Sequence, residues 1–181
     1  MENAISKEMT VSLEALQHHI DYNVWASRRL MDVASGLSME ELSRDFGTAD
    51  KSILGTIAHL YASEKNWLAR MQGNTAAIQR RTAEEISFED LRQKWTEVQE
   101  SWQSWIGHSS PEAPDRAMKY FDLKGKPWEQ SLWQILLHVV NHSTHHRGQV
   151  SGFLRALGKT PPSLDFIAFV RERDQSPKTN G

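Results

Sequence analysis

His142 and His146 are one helical turn apart, inside a run in which Ile135, Val139, Val150, Phe153 and Leu157 recur at intervals of three and four. That period is one face of a helix, so two imidazoles point the same way and can share one cation. A metal site needs a further ligand from another element. Among the eight histidines of the chain, His59 is the best candidate, because it lies beside the apolar stripe of a second expected helix. Three neutral nitrogens suit Zn, Ni, Fe, Co or Mn and leave positions for water or substrate. His138 shares roughly the face of the pair and is a rival ligand, whereas His145 is rotated away toward a pocket rim. Taken alone, His59 also reads as a boundary histidine bonded to a carbonyl or water. The pair is not a His-Glu-x-x-His motif, since Ser143 follows His142 and no glutamate stands there as general base. Asn141, Arg147 and Gln149 flank the pair and could orient ligands or a carboxylate-bearing substrate. For Arg147 the expected role is structural, an ion pair with Asp165.

Four long helices must position these groups. Leu13, Leu16, Ile20, Val24, Ser27 and Met31 trace the first, which Gly36 is expected to stop. His18 and His19 lie on it as partly exposed histidines without a metal role. Ser38 to Glu41 offers a capping box for a short turn, and Ser52 caps a second long helix through Met71, with Gly73 at its end. Residues 74–85 read as loop. Ser87 begins a third long helix with Leu91, Trp95, Val98, Trp102 and Trp105 on one face, where tryptophans fill a core or a subunit interface. Residues 118–128 suit an irregular two-stranded hairpin turning near Lys124 and Gly125, placed as a lid or a surface loop. The organising helix follows and ends near Gly158. Pro161 and Pro162 then break the chain before a short amphipathic segment through Val170, and frayed residues follow from Arg171.

The balance of 39% hydrophobic and 24% charged residues is that of one globular domain, expected over residues 1–175 with a flexible tail at 176–181. A net charge of -2 gives no broad attraction to nucleic acid or an anionic membrane. No apolar run reaches the ~18 residues of a spanning helix, and the N-terminus lacks secretory-signal features. Without cysteine there is no disulfide, thiolate ligand or cysteine nucleophile. A cytoplasmic protein is expected.

Four segments in order carry a family resemblance: Tyr22-Asn23-Val24-Trp25-Ala26, the run Ser52 to Leu60, the run His142 to Gln149, and Pro161-Pro162-Ser163-Leu164-Asp165-Phe166. Together they resemble the DinB-like family of bacterial proteins, with its DinB-type and YfiT-like members, over nearly the whole chain. The resemblance implies an all-α four-helix bundle in up-down-down-up order, and a divalent metal on His59, His142 and His146. It also implies a homodimer packed through helices. Some members look like metal-dependent transferases or isomerases using bacillithiol, mycothiol or glutathione; others are similar to hydrolases. The leading expectation is an S-transferase in which the low-molecular-weight thiol enters the open metal position as thiolate and attacks a small-molecule electrophile. Its rivals are hydrolysis by metal-bound water and a non-enzymatic metal-binding or structural dimer. The family's name does not make this chain a DNA enzyme, because a basic face is missing.

Overall fold

The computed structural model describes residues 11–73 and 86–175, so the expected lead-in before Val11, the 74–85 loop and the 176–181 tail lie outside the described residues. The helices begin where the caps predicted them. Ser12 accepts from the Ala15 amide at the start of α1 (Leu13–Ala34), and Ser38 and Glu41 form the capping box of the short α2 (Met39–Ser43). Ser52 accepts from the Gly55 amide at α3 (Ile53–Met71), and Ser87 from the Asp90 amide at α4 (Phe88–Gly107). The hairpin is also present: β1 (Ala117–Phe121) pairs antiparallel with β2 (Pro127–Ser131), with Met118 opposite Gln130 and Tyr120 opposite Trp128. Gly125 takes the turn at φ 76°, and the Asp122 carboxylate accepts the Lys124 and Lys126 amides. The long α5 (Leu132–Ala156) follows directly, and α6 (Phe166–Gln175) closes the described chain.

Two apolar clusters fix the direction of each helix. One gathers Leu30, Met31 and Ala34 from the end of α1 with Ile53 and Ile57 from the start of α3. It also holds Leu91 and Trp95 from the start of α4, and Val150 and Leu154 from the end of α5. The other joins the opposite ends: Leu16 and Ile20, Leu68 and Met71, Trp102 and Ile106, Leu132 and Ile135. Helices α1 and α5 therefore run one way and α3 and α4 the other, which is the up-down-down-up order. α1 packs against α4 and α5, and α3 packs against the same two, so α1 and α3 face each other across a diagonal. None of the helices among the described residues is long and apolar enough to cross a membrane.

At the centre stands a carboxylate. Glu64 is 1% exposed. Its Oε1 accepts from Asn23 Nδ2 on α1 at 2.8 Å and from Ser143 Oγ on α5 at 2.9 Å, and its Oε2 accepts from Trp95 Nε1 on α4 at 2.8 Å. Trp102 Nε1 donates to the Glu64 carbonyl at 3.1 Å. Two of the three tryptophans on α4 are thus spent inside the bundle, each removing about 150–250 Å² of ring from water while its N–H finds the same glutamate. The network continues through Asn23 Oδ1, which accepts from Arg147 Nη1; that guanidinium also reaches Ser27 Oγ at 3.1 Å and Thr144 Oγ1 at 3.0 Å. Burial pushes the Glu64 carboxyl above its usual value, and the three donors and the Arg147 charge pull it back.

Two expectations are corrected here. Arg147 is not paired with Asp165: it is 1% exposed and turned into the bundle toward α1, because Asn23 and Ser27 supply buried acceptors there. Residues 171–175 are helical and not frayed, tied to α1 by Arg29–Glu172 at 3.1 Å and Arg173–Asp21 at 3.3 Å.

Removing the central acceptor strands three buried donors and the Arg147 charge. Glu64→Ala is expected to cost about 3–5 kcal/mol, and Arg29→Ala, at an exposed pair, less than about 1 kcal/mol. Urea unfolding of metal-free protein gives both values, and similar costs for the two would remove Glu64 from the centre of the fold.

Candidate metal centre

His59 is on the second turn of α3, and His142 and His146 are on successive turns of the neighbouring α5. The structure brings these three together. The two Nε2 atoms of His59 and His142 lie 3.1 Å apart, and ring centroids are 4.5 Å apart from His59 to His146 and from His142 to His146. One nitrogen from each ring falls within 4.8 Å of the others. Metal–nitrogen bonds of about 2.0–2.1 Å place two ligands about 3.3 Å apart in a tetrahedron and about 2.9 Å apart in an octahedron. The 3.1 Å separation of His59 and His142 lies between these values, so this pair has the spacing of two ligands on a first-row divalent cation. His146 Nδ1 donates to Gln149 Oε1 at 2.8 Å, which leaves its Nε2 as the lone-pair nitrogen.

The protonation states agree with that geometry. Burial first, and then the charges of His146, His59, His138 and His145, lower the His142 pKa to about 3. His146 is also lowered, chiefly by burial, although Gln149 and Asp50 act the other way. A ligand must be neutral to offer its lone pair, and these two are neutral at ordinary pH.

The pair sits at the edge of the bundle, not in the core-facing stripe where periodicity placed it. Ser143 and Arg147, one position further along, are the fully buried residues at those turns, because Glu64 and Asn23 satisfy them. His142 and His146 are left half-buried facing α3. His138 stays outside the donor cluster, with its ring 5.8 Å from that of His142 and edge-on to Trp67 at 5.4 Å. Partial burial and the Arg70 charge lower its pKa, which makes it a neutral base beside the site. His145 is exposed on the rim, 5.0 Å from the His146 ring. His18 and His19 pack on Phe166, apart from the cluster. Two turns along α3 from His59, Trp67 stacks edge-on with Tyr120 of β1 at 5.0 Å, and the Arg70 guanidinium covers the Trp67 ring at 4.4 Å. A groove of about 910 Å³ lined by Glu100, Trp105 and Arg116 contains no cluster of three metal-ligating groups among the described residues.

Two carboxylates escaped the sequence reading. Glu64 was visible only as a charged residue in an apolar stripe, which is itself a signal of a buried polar centre. Asp50 lies in the connector before Ser52, with Oδ1 3.8 Å from His59 Nδ1 and Oδ2 3.7 Å from His146 Nδ1. The trace it leaves in the sequence is Gly55, a glycine in the first turn of a helix where a side chain would ordinarily stand.

Comparison with known proteins places this geometry among relatives. The chain is 22% identical over 157 residues to Protein DinB of Bacillus subtilis, covering 83% of this chain and 90% of that one. It is 28% identical over 137 residues to the uncharacterised protein YizA of the same organism, covering 72% and 80%. A crystal structure of a DinB-like protein from Bacillus cereus superposes with a TM-score of 0.59 at 22% identity, over 86% of this chain and 99% of that one. YfiT from B. subtilis, described as a probable metal-dependent hydrolase with an unusual four-helix bundle topology, superposes with a TM-score of 0.64 at 14% identity, over 86% and 94%. The DinB family model matches residues 9–178, and with that match the chain belongs to the DinB family.

Proposed function

We propose that this protein is a divalent-metal-dependent hydrolase of a small molecule, with His59, His142 and His146 as the metal ligands. The observation that carries the reading is the convergence of three imidazoles, two of them with Nε2 atoms 3.1 Å apart, at the half-buried edge between α3 and α5. The description of YfiT supports the same reading. A divalent cation bound there would acidify water and polarise a carbonyl. The chain's own groups set the rest of the chemistry. Ser143 Oγ is committed to Glu64, and Glu64 is enclosed by donors, so neither reaches the site as a base. His138, kept neutral by partial burial and one turn from His142, is a proton acceptor beside the triad.

The expected S-transferase gains no support from the relatives. It remains chemically distinct in one respect: a chain without cysteine would need an added thiol as its nucleophile. Metal analysis of protein purified without an affinity tag is expected to find about one ion per chain, and almost none in the H59A/H142A variant. Loaded protein is then expected to cleave activated esters or amides without thiol. Turnover only with glutathione or bacillithiol and an electrophile would replace hydrolysis by transfer. An ion with no turnover in either screen would favour the metal-binding dimer.

The depressed His142 pKa also shows in metal-free stability. Between about 6.5, where an unfolded histidine titrates, and about 3, where folded His142 does, the unfolded chain binds the proton and the folded one does not. Stability therefore falls as pH drops through that window. The urea midpoint of metal-free H142A is expected to fall less steeply with decreasing pH than that of the parent, and identical slopes would assign the loss elsewhere.

A further inference from the structure

The connector entering α3 is built more tightly than a capping turn requires. Lys51 is at φ 61°, a left-handed conformation unfavourable for a residue with a side chain. Backbone bonds from Phe46 N to Lys51 O at 2.7 Å and from Lys51 N to Thr48 O at 3.0 Å fold the segment on itself. The Asp50 carbonyl presses so closely on α3 that a Cβ at Gly55 would lie 2.0 Å from its oxygen. Only glycine permits that approach. Phe46 stacks on Phe153 of α5 at 4.4 Å with ring planes 7° apart, which anchors the other end of the segment to the second helix of the metal centre.

What this construction holds in place is the Asp50 carboxylate. Among the described residues its oxygens make two ion-pair contacts within 4.0 Å, Oδ1 to His59 Nδ1 and Oδ2 to His146 Nδ1. At His59 the contact is to Nδ1, whereas the nitrogen that approaches His142 is Nε2. At 3.8 and 3.7 Å the two contacts exceed hydrogen-bond length, and a movement of about 1 Å closes either. His146 already has Gln149 for its Nδ1 proton, whereas Asp50 is the carboxylate at His59 Nδ1 among the described residues. Three neutral imidazoles also leave the charge of a divalent ion uncompensated, and Asp50 brings a negative charge beside it.

We propose that Asp50 is the positioning residue of the metal centre, its carboxylate fixing the Nδ1–H tautomer of His59 so that the His59 Nε2 meets the cation shared with His142 and His146. The proposal rests on the metal-centre reading. It is tested with Zn²⁺ as the probe, by competition against a chromophoric chelator at constant pH, on the parent and on Asp50→Asn and Asp50→Glu. The parent is expected to bind one Zn²⁺, and D50N to bind one about 10–100-fold more weakly, with an unchanged urea midpoint for the metal-free protein. D50E, which keeps the charge, is expected to recover affinity relative to D50N. Wild-type affinity in D50N would overturn the proposal. So would a lowered metal-free urea midpoint in D50N, which would make Asp50 a loop-building residue, or loss of binding as complete as in H142A, which would make it a ligand. A parent that binds no Zn²⁺ would instead defeat the metal-centre reading itself.

Discussion

A carboxylate in the middle of a helical bundle is tolerable only if each oxygen has a donor and the surrounding helices hold those donors still. Glu64 meets that condition with one partner from each of the other three long helices. Apolar packing alone would let α5 turn about its axis by a residue at modest cost, since cores accept many hydrophobic arrangements. Ser143 and Arg147 do not allow it: rotate α5, and the hydroxyl leaves Glu64 while the guanidinium leaves Asn23 and Ser27. The rotation that satisfies these two residues is the one that sets His142 and His146 facing His59. The polar centre and the histidine cluster are thus two faces of a single helix setting.

This coupling explains what the sequence revealed and what it concealed. Helix limits were legible because they rest on local chemistry: Ser12, Ser38, Ser52 and Ser87 all cap where they stand. The hairpin was legible from the turn expected near Lys124 and Gly125. The three histidines were legible from spacing and a resemblance, and they do converge. The rotation of α5 was not, because periodicity reports an apolar stripe wide enough to contain both the histidines and the residues beside them. The destination of Arg147 was hidden for the same reason: its acceptors lie 120 and 124 residues away in sequence. Asp50 was concealed by a backbone conformation that no side-chain pattern announces.

The relatives fix the fold and leave the chemistry to the site. At 14% and 22% identity the two solved structures share a chain path with this protein. A shared path is compatible with many reactions on one scaffold. The feature that narrows the reaction is local: neutral nitrogen donors in a half-open edge, a partly buried imidazole next to them, and an aromatic and cationic ledge at Trp67, Arg70 and Tyr120.

The Glu64 contacts also impose an order on assembly. They link residues 41, 31 and 79 positions apart on separate helices, so each requires closure of a long loop before it can form. Until α1, α4 and α5 have all docked, the carboxylate is better served by water than by the chain. A half-built bundle therefore gains little by closing around it. An ion held by His59, His142 and His146 would need α3 and α5 already docked and, once bound, would resist their separation.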